Sequence, residues 1–262
     1  MIGIHVNSDI DLICDEIVKA YKYNANIIQL FTQPLDNLKI YYKMKEYLNK
    51  YKIEIVIHSS YALNIARPLD IYSWQIRYIL QQINIIMPII GSKYIIIHTG
   101  KYLNQPVDIA INNMLDNIIY IANNNKKNIQ ILLETSAGVG TSLLYKIEDL
   151  AKFYNKLNNK YINLCLDTAH IWDSGYDIST MEKFYKFIYK FDKLIGLDKI
   201  KIVHLNDSLN PLGSKKDRHQ SIGKGYIGNI LYDIGKFFIN KNIHVILETP
   251  FKYHKKELQN LY

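Results

Sequence analysis

The feature that most limits what this chain can fold into is a rhythm. Short runs of β-branched, apolar and aromatic residues return along its whole length, each followed by a helix-length segment with its apolar residues on one face. The runs are IGIH (2–5), IIQLF (27–31), IEIVIH (53–58), YIIIH (94–98), IQILLE (129–134), YINLCLD (161–167), IKIVHL (200–205) and HVILE (244–248). Between them the spacing predicts amphipathic helices over 9–24, 38–50, 71–86, 108–123, 144–157, 179–191 and 227–240. Alternation of this kind belongs to the α/β class with a parallel sheet, and eight strands in 262 residues match the (β/α)8 TIM barrel. A chain of this length buries roughly three quarters of its unfolded surface. No Pro/Gly/Ser-rich linker or low-complexity block divides it, so one domain over 1–262 is expected.

What stands at the strand ends points to chemistry. From the third strand to the eighth they are His58, His98, Glu134, Asp167, His204 and Glu248, at or next to the carboxyl rim where barrel enzymes keep their active sites. A single histidine after an apolar strand is ordinarily a structural residue. Six consecutive strand ends of metal-ligand type are not explained that way, because buried ionisable groups are costly unless paired or metal-bound.

Two further stretches enlarge the set. CLDTAHIWDSGYD (165–177) places His170 three residues beyond Asp167, and GSKKDRHQSIGKGYIG (213–228) supplies Asp217, Arg218 and His219 from a glycine-rich loop able to approach a ligand closely. His170, Asp217 and His219 thus form a second His/Asp/His set beside the six strand-end residues. Imidazole and carboxylate without thiolate suit Zn²⁺, admit Mn²⁺ or Fe²⁺, and disfavour an all-oxygen Mg²⁺ site. Five histidines, two aspartates and two glutamates are enough for three metals if one carboxylate bridges.

Composition narrows the setting. Cys14 and Cys165 are too few and too scattered for a disulfide framework, which favours a reducing compartment. The N-terminus MIGIHVNSDIDLICDE lacks the apolar stretch of a signal peptide, and no apolar run approaches the ~18 residues of a membrane span. A soluble, intracellular protein with no membrane partner is expected, placed in the cytoplasm, or in the host cytoplasm or virion if the source is viral. Lys+Arg of 32 against Asp+Glu of 24 gives +8, which favours a polyanionic partner, although abundant Ile, Asn, Lys and Tyr also follow from AT-rich codons.

HSSYALNIARP, HTGKYL, LLETSAGVGTSL, LCLDTAHIWDSGYD, HLNDS, GSKKDRHQSIGKGYIG and ILETP follow in order along the chain, and in this they resemble the endonuclease IV family of apurinic/apyrimidinic (AP) endonucleases. The resemblance implies a TIM barrel with three zinc ions that cuts DNA 5′ to an abasic site. It implies that His58 and His98 hold one zinc, which Glu134 bridges to a second. Asp167, His204 and Glu248 would complete the ligands of the second zinc, and His170, Asp217 and His219 would hold the third. Manganese would be able to substitute. Glu134, as the bridge, would place the hydroxide nucleophile. The implied products are a 3′-hydroxyl and a 5′-deoxyribose phosphate, and the implied partner is double-stranded DNA with abasic sites or 3′-blocked ends, met by a monomer.

Tyr61 matches the family's tyrosine that probes the DNA stack, with Ala62, Gln33 and Arg218 as neighbouring DNA contacts. Here the chain departs from the pattern. Ala62 stands where a bulky apolar residue is usual, Leu35 and Asp36 where relatives tend to carry an arginine, and Leu144 where a glycine is common. His5, ending the first strand, is expected behind the ligands or against phosphate; His244 and His254 are expected to be structural or solvated. Two rival readings place similar residues on strand ends: a metal-dependent sugar isomerase or epimerase on a related barrel, and a catalytically silent barrel that binds DNA lesions.

Overall fold

All eight apolar runs form strands, within a residue of their expected ends. In the computed structural model, which describes residues 1–9, 11–32, 35 and 38–262, they are β1 (Ile2–His5), β2 (Ile27–Phe31), β3 (Glu54–His58), β4 (Tyr94–His98), β5 (Gln130–Glu134), β6 (Ile162–Asp167), β7 (Ile200–His204) and, after a two-strand ribbon β8 (Asp207–Ser208) and β9 (His219–Gln220), β10 (His244–Leu247). The eight long strands pair in parallel and close into a barrel, in the order β1–β2–β3–β4–β5–β6–β7–β10 and back to β1. The ribbon is antiparallel and stands outside that barrel.

The helices are α1 (Ile13–Lys22), α2 (Leu38–Tyr51), α3 (Leu69–Gln81), α4 (Met87–Ile90), α5 (Val107–Asn123), α6 (Ile147–Leu157), α7 (Thr168–Asp173), α8 (Met181–Leu194), α9 (Ile230–Asn240) and α10 (His254–Leu261). The helix expected over 71–86 ends instead at Gln81, passes through a π-helical turn (Gln82–Ile86) and continues as α4, whose first turn accommodates Pro88. The helix expected from 144 starts at Ile147, because Leu144 takes φ +56°, the left-handed conformation a glycine would adopt freely. Its side chain is buried in the core, and that burial offsets the backbone strain. Helices α7 and α10 and the ribbon are additions to the expected elements. No described helix is long and apolar enough to cross a membrane.

Successive inward-facing positions explain how the barrel prepares a site. Ile27, Val56, Ile96, Leu132, Cys165, Ile202 and Ile246 form a fully buried apolar layer inside it. Side chains alternate with a period of two along a strand, so two residues onward the same strands present Gln29, His58, His98, Glu134, Asp167, His204 and Glu248. β1 contributes Gly3 to the lower layer, where a Cβ would meet the Ile27 carbonyl oxygen at 1.8 Å, and His5 above it. Most strands share an even register, with His98 beside Glu134. Between β6 and β7 the register shifts by one at Leu164/Cys165, and that shift brings Asp167 level with His204.

Candidate metal centre

Glu134 lies at the middle of the upper layer, almost wholly buried. Its Oε2 is 3.2 Å from His58 Nε2 and 3.1 Å from His98 Nδ1. Its Oε1 accepts from His204 Nδ1 at 2.8 Å and lies 3.8 Å from His170 Nδ1. His204 Nδ1 is also 3.2 Å from Glu248 Oε2 and 3.8 Å from Asp167 Oδ2. On the far side, Asp217 Oδ1 stands 3.3 Å from His170 Nε2 and 3.2 Å from His219 Nε2, and the latter is 3.5 Å from Asp167 Oδ2. All nine candidate donors therefore share one rim.

Donor atoms that converge within 4.8 Å of one another form three groups: His58, Glu134 and His204; Glu134, Asp167, His204 and Glu248; and Asp167, His170 and His219. The middle group has the composition expected for the second metal. The outer two differ from the expected sets, since His98 and Asp217 flank the groups they were expected to join. Both remain in contact with a member, through Glu134 and His170 respectively.

Outer hydrogen bonds fix which imidazole nitrogens face the cleft. His58 Nδ1 bonds the Ser59 carbonyl at 2.7 Å and His170 Nδ1 the Thr135 carbonyl at 2.6 Å, which makes Nδ1 the protonated nitrogen and leaves the Nε2 lone pair inward. His204 is held the other way, Nε2 bonding Gln29 Oε1 at 2.8 Å. The buried Nε2 of His98 has no hydrogen-bond partner, and those of His170 and His219 face only carboxylate oxygens, chiefly Asp217 Oδ1 at 3.3 and 3.2 Å. Imidazole nitrogens turned toward carboxylates, with carbonyls behind the rings of His58 and His170, are what a nitrogen- and oxygen-ligated cation such as Zn²⁺ requires, and the residues fit that group.

The electrostatics agree with a donor set of mixed sign. Burial works against the imidazolium of His219, but Asp167, Asp217 and Glu248 outweigh it and raise its pKa to about 9. Against the same opposing burial, His170 is raised by Asp167, Asp217 and Glu134, and His204 by Cys165, Glu248 and Glu134. Glu134 and Asp217 are held below the usual carboxylate range, since neighbouring imidazoles overcome the burial that would otherwise raise them. His98 goes down to about 4 because burial dominates there. Below the rim, burial pushes the Cys165 thiol up to about 12, so it stays neutral.

The DTAH stretch has a compact explanation. Asp167 Oδ1 caps α7 by accepting from the His170 amide at 3.0 Å, while its other oxygen faces His204 and His219. One carboxylate thus both starts the helix that carries His170 and lies among the donors.

Around the donors lie residues with more accessible surfaces. Tyr61 is 56% exposed, its ring centroid 4.6 Å from His98 and 5.3 Å from Phe31; burial of its hydroxyl end, then the nearby carboxylates, raise the phenol pKa and keep it protonated. Ala62 is exposed, its amide on Ser60 Oγ. Arg218 is exposed, with Nη1 donating to the Asp217 carbonyl at 2.6 Å. Tyr61, His98, Lys101, His170, Arg218 and His219 contribute to the lining of a cavity of about 490 Å³. His5 sits behind the donors, 3.7 Å from Glu248 Oε1 and 3.0 Å from Gln29 Nε2. Gln33 and Asp36 lie outside the described residues, and Leu35 packs against the core. His254 is buried, bonding the Thr249 carbonyl, rather than solvated.

Sequence reasoning missed three supports. Gln29 donates to Glu248 Oε1 at 2.6 Å while accepting from His204, and its signal was a lone polar residue two positions beyond Ile27 in a buried run. Asn206 donates to Asp167 Oδ2 at 2.8 Å and Glu248 Oε2 at 3.1 Å, and accepts from the Glu248 amide. Asp207 is fully buried and accepts from the amides of Gly223, Gly225, Ile227 and Gly228, which draws the glycine-rich loop around one carboxylate.

Comparison with known proteins agrees with this geometry. Residues 17–255 match the model of the Xylose isomerase-like TIM barrel family. "Probable endonuclease 4" of Staphylococcus aureus strain JH9 is 34% identical over 268 residues, covering 96% of this chain and 88% of that protein, and the Newman strain protein is 33% identical over the same coverage. Among solved structures, endonuclease IV from Thermus thermophilus superposes with a TM-score of 0.81 at 21% identity, over 99% of this chain and 97% of its own. A D-tagatose 3-epimerase-like protein superposes at 0.77 and 18% identity, over 99% and 95%, so the fold alone does not separate these chemistries. The relatives at a third identity over nearly the whole chain do separate them: this chain belongs to the xylose isomerase-like TIM barrels, and within them to the endonuclease IV family.

Proposed function

We propose that the chain, as one domain over 1–262 acting as a monomer, is a zinc-dependent hydrolase that cuts DNA 5′ to abasic sites, leaving a 3′-hydroxyl and a 5′-deoxyribose phosphate. The observation that carries this reading is the second donor set. His170 and His219, carried outside the barrel strands, each stand within 3.3 Å of Asp217 next to strand-end Asp167, and an isomerase working on a small sugar gives no reason for them.

His58, His98 and Glu134 would hold one zinc, Glu134, Asp167, His204 and Glu248 a second, and His170, Asp217 and His219 a third. Bound there, such ions supply Lewis acidity toward a phosphate and a low-pKa water near neutral pH. The chain's own residues do the rest. Gln29 and Asn206 orient Glu248, His204 and Asp167 from behind, so the donors keep one geometry as charge builds on the phosphate. Tyr61 offers a stacking face at the mouth of the cavity, where a nucleotide lacking a base unstacks most cheaply. Arg218 and Lys101 bring positive charge to the same mouth. A site built around phosphate rather than a base extends to 3′-blocking phosphates and phosphoglycolates.

The test is incubation with a duplex carrying one abasic site, with and without a zinc chelator, with metal per chain counted on the same preparation. Chelator-sensitive nicking 5′ to the lesion with about three zinc ions supports the reading. One or two metals and no nicking favours the epimerase alternative, and lesion binding without nicking favours the silent binder.

A further inference from the structure

Helix α10 follows the eighth barrel strand and closes the ring of helices, and its Glu257 is buried and uses both carboxylate oxygens on residues near the metal centre. Oε1 accepts from the Ile222 amide at 2.8 Å, and Oε2 accepts from the Thr249 hydroxyl at 2.5 Å. Ile222 follows His219 by three residues in the glycine-rich loop, and Thr249 directly follows Glu248. His254, at the start of the same helix, bonds the Thr249 carbonyl through Nε2 at 2.7 Å. Lys224 of the loop lies 3.7 Å over the Tyr253 ring. The helix seats closely on α9, where a Cβ on Gly235 would come within 2.7 Å of Leu261 Cδ2.

A buried acid is an expensive way to dock a helix. Burial raises the Glu257 carboxyl above its ordinary range, and an apolar side chain would seat α10 without that penalty. Its two partners, however, belong to two segments that carry donors of neighbouring groups, with His219 Nδ1 3.8 Å from Glu248 Oε2. We propose that Glu257 is a positioning residue that sets the spacing between the second and third metal groups, clamping the Glu248–Thr249 turn to the loop of Asp217 and His219. It touches no substrate and no donor, acting only through Thr249 and Ile222. This rests on the zinc reading above.

The experiment measures zinc per chain by mass spectrometry, and zinc affinity by competition with a chromophoric chelator, on the full chain and three variants. Glu257→Ala is expected to weaken the loosest zinc by about ten- to a hundredfold, the usual effect of losing an outer partner, with unchanged circular dichroism and a fall in kcat rather than a rise in KM. Glu257→Gln restores both, because its amide oxygen still accepts from Ile222 and its NH₂ reaches the Thr249 oxygen. Wild-type zinc content and affinity in Glu257→Ala overturns the clamp alone. If that variant fails to fold, Thr249→Val decides: it cuts one arm, and unchanged zinc affinity overturns the clamp. No zinc on the parent protein overturns the metal reading and the clamp together.

Discussion

Replacing Asp207 with asparagine changes one oxygen for an amino group at the point where the glycine-rich loop is gathered. Oδ2 accepts from Gly223 and Gly225 at 3.0 Å each and from Gly228 at 3.2 Å, while Oδ1 serves Ile227 and Ser208 at 2.9 Å. Asparagine keeps the second set and turns its NH₂ toward the three donors of the first. Hydrogen bonds to a charged group contribute about 1.5–3 kcal/mol each, so losing three removes up to about 4.5–9 kcal/mol before the loop relaxes. Partial relaxation leaves a loss of about 3 kcal/mol, and at about 2–4 °C per kcal/mol for a chain of this size the Tm falls by about 6–12 °C. If three zinc ions bind as proposed, one is lost while the others stay, because the loop carries Asp217 and His219 but not His58, His98 or Glu134. Gly225→Ala reaches the same end differently, since a Cβ there would lie 2.3 Å from the Ser208 carbonyl oxygen and 2.5 Å from Asp207 Oδ1. Calorimetry together with a metal count checks both, and an Asp207→Asn protein with an unchanged Tm and full zinc refutes the reasoning.

Other outcomes follow from the same geometry. Glu134→Gln abolishes cleavage of an abasic duplex with the fold intact, because a neutral amide bridges poorly; activity within about tenfold of the parent, on the scale where a tenfold change is about 1.4 kcal/mol, would remove Glu134 from the bridge. Tyr61→Ala weakens binding to abasic DNA by about ten- to a hundredfold while leaving undamaged duplex unchanged, since base–aromatic stacking contributes about 1–3 kcal/mol; fluorescence anisotropy with both duplexes reads it. Asp173 is raised from 3.8 to about 6, chiefly by burial, with its Oδ2 unpartnered while Ser208 and Ser214 donate to Oδ1. A folded-state pKa above the unfolded one means stability that is present below pH 4 and lost as pH rises through 6. Asp173→Asn therefore raises the Tm at pH 7.5, by a gain on the order of 1 kcal/mol that disappears below pH 4; equal melting of both proteins at pH 7.5 contradicts this.

The barrel and the donors were legible because each repeats a period. Runs such as YIIIH and IQILLE show buried strands ending in ionisable groups, and six such endings in succession leave few alternatives. Gln29 obeys the same period of two from Ile27, but an amide carries no metal signature and so does not stand out. Asp207 was hidden for another reason: its partners are backbone amides at four places in a later loop, and a backbone amide leaves no mark in sequence. The β6–β7 register shift was equally silent, because pairing is decided between strands, whereas the left-handed Leu144 was marked only by standing where a glycine is common. Helix α10 was missed because HKKELQNL is short and strongly polar on its outer face, and its role lies in the buried Glu257.

The barrel interior is built in two storeys, seven apolar side chains below and a ring of polar ones two residues above. The lower storey fills the barrel interior with apolar packing, while the upper carries the donors and the hydrogen bonds among them. An exchange in the upper ring therefore alters chemistry while leaving the frame standing, and an exchange in the lower layer does the reverse. A barrel divided in this way can exchange the residues of its upper ring while keeping its frame.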